Sequence, residues 1–89
     1  MNWKLEQRRR SIFVRNLSAD TTEADLRSFF APYGLVTGVI LKRDRITDAS
    51  WGHGYVEMET VLNAKQAIKS GNGQILNDRQ ITVMRVRHR

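Results

Sequence analysis

The feature that most constrains this chain is a pair of alternating aromatic segments, Ile12-Phe13-Val14-Arg15-Asn16-Leu17 and Trp51-Gly52-His53-Gly54-Tyr55-Val56-Glu57-Met58. Successive side chains of a strand point to opposite faces of a sheet. In the first segment Ile12 and Val14 share one face, and Phe13 and Arg15 share the other. In the second, Val56 and Met58 turn toward an apolar interior while His53 and Tyr55 share the opposite face. Phe, Tyr and His on the outward side of a strand suit a flat ligand. Nucleobases are flat, and each one stacked on an aromatic side chain gains roughly 1–3 kcal/mol.

Between and beyond these strands the pattern changes period. Ser18-Ala19-Asp20-Thr21 reads as a turn, and Thr22 with Asp25 three residues later reads as a capping box that starts a helix. Leu26, Phe29 and Phe30 follow at helical spacing, and Pro32 and Gly34 stop the helix. A second strand is expected from about Val36 to Arg43, with Val39 and Leu41 inward and Ile40 and Lys42 outward. After a polar loop and the second aromatic strand, Val61, Ala64, Ala67 and Ile68 mark another amphipathic helix, ended by Gly71-Asn72-Gly73. A short Gln74-Ile75-Leu76 segment and an Asn77-Asp78 turn lead to a last strand. There Ile81 and Val83 face inward, and Gln80, Thr82 and Met84 face outward. The order is βαββαβ, an α+β ferredoxin-like (split βαβ) fold. It has a four-stranded antiparallel sheet with both helices on one face and the aromatic face left open.

Charge divides the chain into three parts. Residues 11–84 carry equal numbers of basic and acidic side chains, so the net charge of +6 sits entirely in the ends. Residues 1–10 read as a loosely docked basic arm anchored by Trp3 and Leu5, residues 11–84 as the domain, and residues 85–89 as a basic tail. Two basic ends on a neutral body suit a polyanion, although such tails also serve solubility alone. The absence of cysteine leaves no disulfide framework and no thiolate metal site, which suits an intracellular protein of nucleus or cytoplasm. No apolar run approaches the roughly 20 residues of a membrane helix, and the start carries no signal-peptide segment. No membrane partner is expected.

The two aromatic segments resemble the signature motifs of the RNA recognition motif (RRM) family. The shorter family motif reads aliphatic-aromatic-aliphatic-Gly-Asn-Leu, and residues 12–17 match it except that Arg15 replaces the glycine. The longer reads Lys/Arg-Gly-Phe/Tyr-Gly/Ala-Phe-Val-x-Phe/Tyr. Gly52, Gly54 and Val56 match, and Tyr55 supplies the fifth-position aromatic. Trp51, His53 and Met58 depart from it.

The resemblance implies single-stranded RNA as the partner, with single-stranded DNA left open. It implies that Phe13 stacks the 5′ base and Tyr55 the 3′ base. His53 takes the position of an aromatic that packs between sugars, and as an imidazole it makes a weaker contact or approaches a phosphate. Trp51 replaces a phosphate-contacting base and has two readings, stacking a further base or packing the loop root, with the second favoured. Arg15 and Lys42 are candidates for the missing charge, as are Arg43 and Arg45. Gln80, Thr82 and Met84, outward on the last strand, complete the candidate RNA-binding set with Arg85 and Arg87, since residues after that strand often cross the sheet in this family.

Catalysis finds no support. Glu57 and Glu59 have no convergent nucleophile, and Gly52-x-Gly54 lies inside a strand and so is no dinucleotide fingerprint. His53 and His88 are the only histidines, so neither a metal nor a cofactor is expected. The competing reading is a protein-interaction RRM, or a dimer whose sheet face is occluded. One such class uses an acidic first helix and an Arg-x-Phe segment. Glu23 and Asp25 fit the helix, but Asp78-Arg79-Gln80-Ile81 lacks the aromatic.

Overall fold

The computed structural model describes residues 4–86. The roles expected of Trp3, Arg87, His88 and Arg89 therefore lie outside the described residues. In chain order the elements are α1 (Leu5–Arg9), β1 (Ser11–Arg15), α2 (Glu23–Phe30), β2 (Val36–Arg43), β3 (Ser50–Met58), α3 (Val61–Gly71), β4 (Ile75–Leu76), β5 (Arg79–Gln80) and β6 (Thr82–Arg85). A short 3₁₀ turn over Ala31–Tyr33 follows α2. The main sheet runs β2-β3-β1-β6 and every neighbouring pair is antiparallel. The α+β, βαββαβ reading of the sequence is the observed fold, and both motif strands occupy the centre of the sheet.

Period-2 alternation works as expected. Ile12, Val14, Val56, Met58 and Val83 are buried, and Leu26 and Phe30 of α2 and Ala64 and Ala67 of α3 close over them in one core. Removing such side chains from water is the main force that holds the helices to the sheet. The capping box is complete: Asp25 N–H donates to Thr22 Oγ1 at 3.1 Å, and Thr22 N–H donates to Asp25 Oδ2 at 3.0 Å. These bonds satisfy two of the donors that every helix N-terminus leaves open. Gly54 sits where β2 and β3 approach so closely that a Cβ would run into the Ile40 carbonyl.

Two expectations need correction. The expected N-terminal arm is a helix, α1, and its anchor is polar rather than the apolar Leu5, which is 63% exposed. Five residues cannot hold a helix alone. Here Ser11 Oγ donates to the Gln7 carbonyl at 2.7 Å, and Arg10 donates to the Met58 carbonyl at 3.0 Å. Arg10 also pairs with Glu57 at 3.3 Å and with Glu6, four residues back, at 3.8 Å.

The second correction concerns Gln80. Residues 79 and 80 do not begin the last strand but pair with Ile75–Leu76 in a separate hairpin. Its turn residues Asn77 and Asp78 both have left-handed backbones (φ 51° and 65°), which matches the twist of a tight hairpin. Ile81 then breaks the strand, because its N–H and C=O bond to the loop at Gln74 and Gly73, each at 2.9 Å. Gln80 accordingly leaves the open face, with its amide donating to the Gly73 carbonyl at 3.1 Å.

Candidate nucleic-acid interface

The face of the sheet away from α2 and α3 carries a row of rings. Phe13 of β1 lies directly opposite Tyr55 of β3 in the strand register. Their ring centroids are 5.1 Å apart, with an interplanar angle of 35°. The register that sets this pair is the one that buries Ile12 and Val56, since a slip by one residue would exchange the two faces. His53 follows, its ring 5.7 Å from Phe13 and edge-on to it. Trp51 extends the row, 6.3 Å from His53. Trp51 is 55% exposed, which leaves ring surface open to a ligand. Met84 and Thr82 of β6 stand opposite Phe13 and Arg15 and continue the face on its other side. Exposed Ile40 of β2 pairs with Tyr55 and was not among the expected site residues.

Charge is distributed less simply than the sequence suggests. Arg15 is exposed at the end of β1, with no hydrogen-bond or ion-pair partner among the described residues. Lys42 alternates with buried Leu41 and is likewise unpaired among them. Arg43 is committed elsewhere: it pairs with Glu23 at 3.0 Å and donates to the Asp48 carbonyl at 3.1 Å. The pairing holds the Glu23 carboxyl below the usual carboxylate range and raises the Arg43 guanidinium above its ordinary value. Asp44 is held low by the Thr47 and Ile46 amides, which close the loop between β2 and β3. Arg85 is exposed at the end of β6. Arg87 lies outside the described residues.

Four further residues border the face in roles that the sequence did not show. Glu57 lies two residues from Tyr55 on the open face, and there its charge opposes that of a phosphate. Arg10 neutralises it, and Thr37 Oγ1 donates to it at 2.9 Å. The Glu6/Arg10 spacing was the available signal for α1, but Arg10 meeting Glu57 depends on the fold. Gln7 of α1 borders the same end, sharing a cleft with Ile40, Tyr55 and Glu57. Arg79 reaches the opposite end, where it donates to the Asn16 carbonyl at 3.2 Å and to Asn16 Oδ1. Asn16 in turn donates to the Gln80 carbonyl at 2.8 Å, which fixes the hairpin against the end of β1.

Among the described residues no group of His, Cys, Asp and Glu could hold a metal ion. None of their helices is long and apolar enough to cross a membrane.

Known proteins resemble this chain in sequence and in overall fold. The serine/arginine-rich splicing factor SR45a of Arabidopsis thaliana is 40% identical over 79 residues, covering 89% of this chain and 21% of that protein. The chloroplastic organelle RRM domain-containing protein 1 of Oryza sativa subsp. japonica is 36% identical over 84 residues, covering 94% and 21%. The chain thus spans about a fifth of the length of these curated relatives. Among solved structures, the RNA binding protein PG1 superposes with a TM-score of 0.83 at 35% identity, covering 89% of this chain and 95% of that one. The RNA-binding domain of Hrp1, solved in complex with RNA, superposes with a TM-score of 0.81 at 30% identity, covering 91% and 47%. The RNA recognition motif pattern matches residues 12–82, from the first aromatic strand into β6, and the chain belongs to the RNA recognition motif family.

Proposed function

We propose that this domain binds single-stranded RNA on its open sheet face, stacking one base on Phe13 and the next on Tyr55. The observation that carries the reading is the Phe13–Tyr55 pair: two rings in register, 5.1 Å apart, on the side that neither α2 nor α3 covers. His53 and Met84 flank the pair, and Lys42 and Arg85 supply cations for the backbone. Arg10 takes no part in phosphate binding because Glu57 and the Met58 carbonyl already hold it. Single-stranded DNA presents the same base faces, and the 2′-hydroxyl is what distinguishes RNA at a given contact. The solved complex of Hrp1 with RNA supports the ligand class. The role is binding rather than catalysis.

The charged side chains that the protein-interaction alternative would use already have partners within the domain. Glu23 is paired with Arg43, and Asp25 is engaged by the Thr22 amide and by Asn77 at 3.1 Å. Arg79 is drawn to Asn16 rather than displayed for a partner.

The test is titration of short single-stranded RNA against Phe13→Ala and Tyr55→Ala, with circular dichroism to verify folding. Each variant is expected to lose roughly 1–3 kcal/mol of binding. If both stay folded and bind like the parent, the stacking site is wrong.

A further inference from the structure

Three of the positions at which this chain departs from the family's motifs, Arg15, Trp51 and His53, come together in space. Arg15 lies opposite His53 across the β1–β3 ladder, and the Trp51 ring is 6.3 Å from the His53 ring. All three line one open cleft of about 340 Å³ at the end of the two strands, beside Phe13, Asn16 and Arg79.

The cleft is built rather than accidental. Gly52 has φ 82°, a conformation that suits glycine. Its carbonyl accepts from Leu17 N–H at 2.9 Å, which closes the floor. Asn16 takes a left-handed backbone (φ 64°) and holds Arg79 by its carbonyl and Oδ1.

The chemistry of the walls is dominated by the Arg15 guanidinium and the rings. Arg15, the Trp51 indole N–H and the His53 ring nitrogens have no hydrogen-bond partner among the described residues. The one side-chain carbonyl, Asn16 Oδ1, accepts from Arg79. The cleft therefore offers exposed ring surface together with donors. A phosphate would use the donors but not the rings. A base suits both, provided its edge carries adjacent acceptors. Guanine, with O6 and N7 side by side, is that base, and a guanidinium matches the pair bidentately. Adenine presents an amino group beside N7, and the donor-only Arg15 guanidinium cannot pair with that edge bidentately.

We propose that this cleft is a guanine-selective subsite next to the Phe13–Tyr55 platform, in which Trp51 stacks the base and Arg15 reads O6 and N7. The proposal rests on the sheet-face reading above and adds a base preference to it.

The test uses short oligouridylates carrying one guanosine, adenosine, inosine or 7-deazaguanosine, the substituted position being moved along the strand. Binding to the full chain is followed by fluorescence anisotropy. At one position guanosine is expected to bind roughly tenfold tighter than adenosine. Inosine, which keeps O6 and N7, should match guanosine, and 7-deazaguanosine should fall to the adenosine level. Arg15→Gly, which restores the family's residue, should abolish the preference, as should Trp51→Ala.

Absence of a guanosine preference at every position overturns the proposal, as does a preference that survives both variants. A uniform loss for all oligonucleotides in Arg15→Gly, with a shallower salt dependence, makes Arg15 a phosphate contact and also overturns it. The sheet-face reading fails separately: if Phe13→Ala binds every oligonucleotide like the parent, that reading falls and this one with it.

Discussion

The Arg10–Glu57 contact ties the stability of the N-terminus to the charge of the binding face, and Arg10→Ala separates the two effects. The side chains are 23% and 20% exposed, so solvent screens the pair only in part. The substitution removes a charge-assisted hydrogen bond to the Met58 carbonyl, of a kind that contributes about 1.5–3 kcal/mol. The ion pair with Glu57 adds roughly 0.5 kcal/mol. Together they give a loss of about 2–3.5 kcal/mol, and at roughly 4–8 °C per kcal/mol the Tm falls by about 8–28 °C.

The second effect falls on RNA. Glu57 is left as an unpaired carboxylate two residues from Tyr55, and at about 6 Å from a phosphate in a largely aqueous setting the repulsion is roughly 1 kcal/mol. Affinity should then drop about fivefold at moderate salt and recover at high salt. Adding Glu57→Gln to Arg10→Ala removes the stray charge but not the stability loss. The double variant should therefore recover affinity while keeping the lower Tm. Thermal denaturation and anisotropy titration of the two variants decide the matter. An unchanged Tm in Arg10→Ala would refute the docking role of Arg10. Affinity that stays low in the double variant would refute the electrostatic one.

Val56→Asp should abolish folding, because it places a carboxylate at a fully buried position with no partner; loss of the cooperative melt is the readout. The Asp25 carboxyl is held below its usual range by the Thr22 amide and then by Asn77, so its stabilisation is present above the unfolded value, about 4, and disappears as pH falls through the lower folded value. Asp25→Ala should thus melt earlier than the parent at pH 7, with the gap closing in acid, and parallel Tm–pH curves would contradict this. Replacing Arg85, Arg87 and Arg89 by Gln should weaken binding and flatten its salt dependence. The log–log slope should shrink by roughly 0.7 for each phosphate that an arginine no longer neutralises. Base preference should survive that change, and titrations of two oligonucleotides across a salt series test both statements.

Most of the fold was legible because its signals are local. Alternation of apolar residues placed Ile12, Val14, Val56 and Val83 in the core, and the Thr22–Asp25 box marked the helix start three residues apart. The Phe13–Tyr55 pair was legible for the same reason. Once the inward residues of two strands are known, the outward ones share the other face. Gln80 was misplaced because alternation cannot foresee where a strand is interrupted. The bonds that draw Ile81 out of the ladder come from Gln74 and Gly73 in the preceding loop.

By itself the sequence determined which side chains turn inward, where the two helices that cover the sheet begin, and which rings remain outside, since these follow from spacing along one segment. The tertiary structure decided which charges remain available. Arg10 found Glu57 and Arg43 found Glu23, while Arg15 was left unpaired among the described residues. It also brought Arg15, Trp51 and His53 into a single cleft. These outcomes depend on strand register and helix docking between residues distant in the chain. A charged side chain pairs with whatever the fold places within a few ångströms of it, and that neighbour is not written in its own segment.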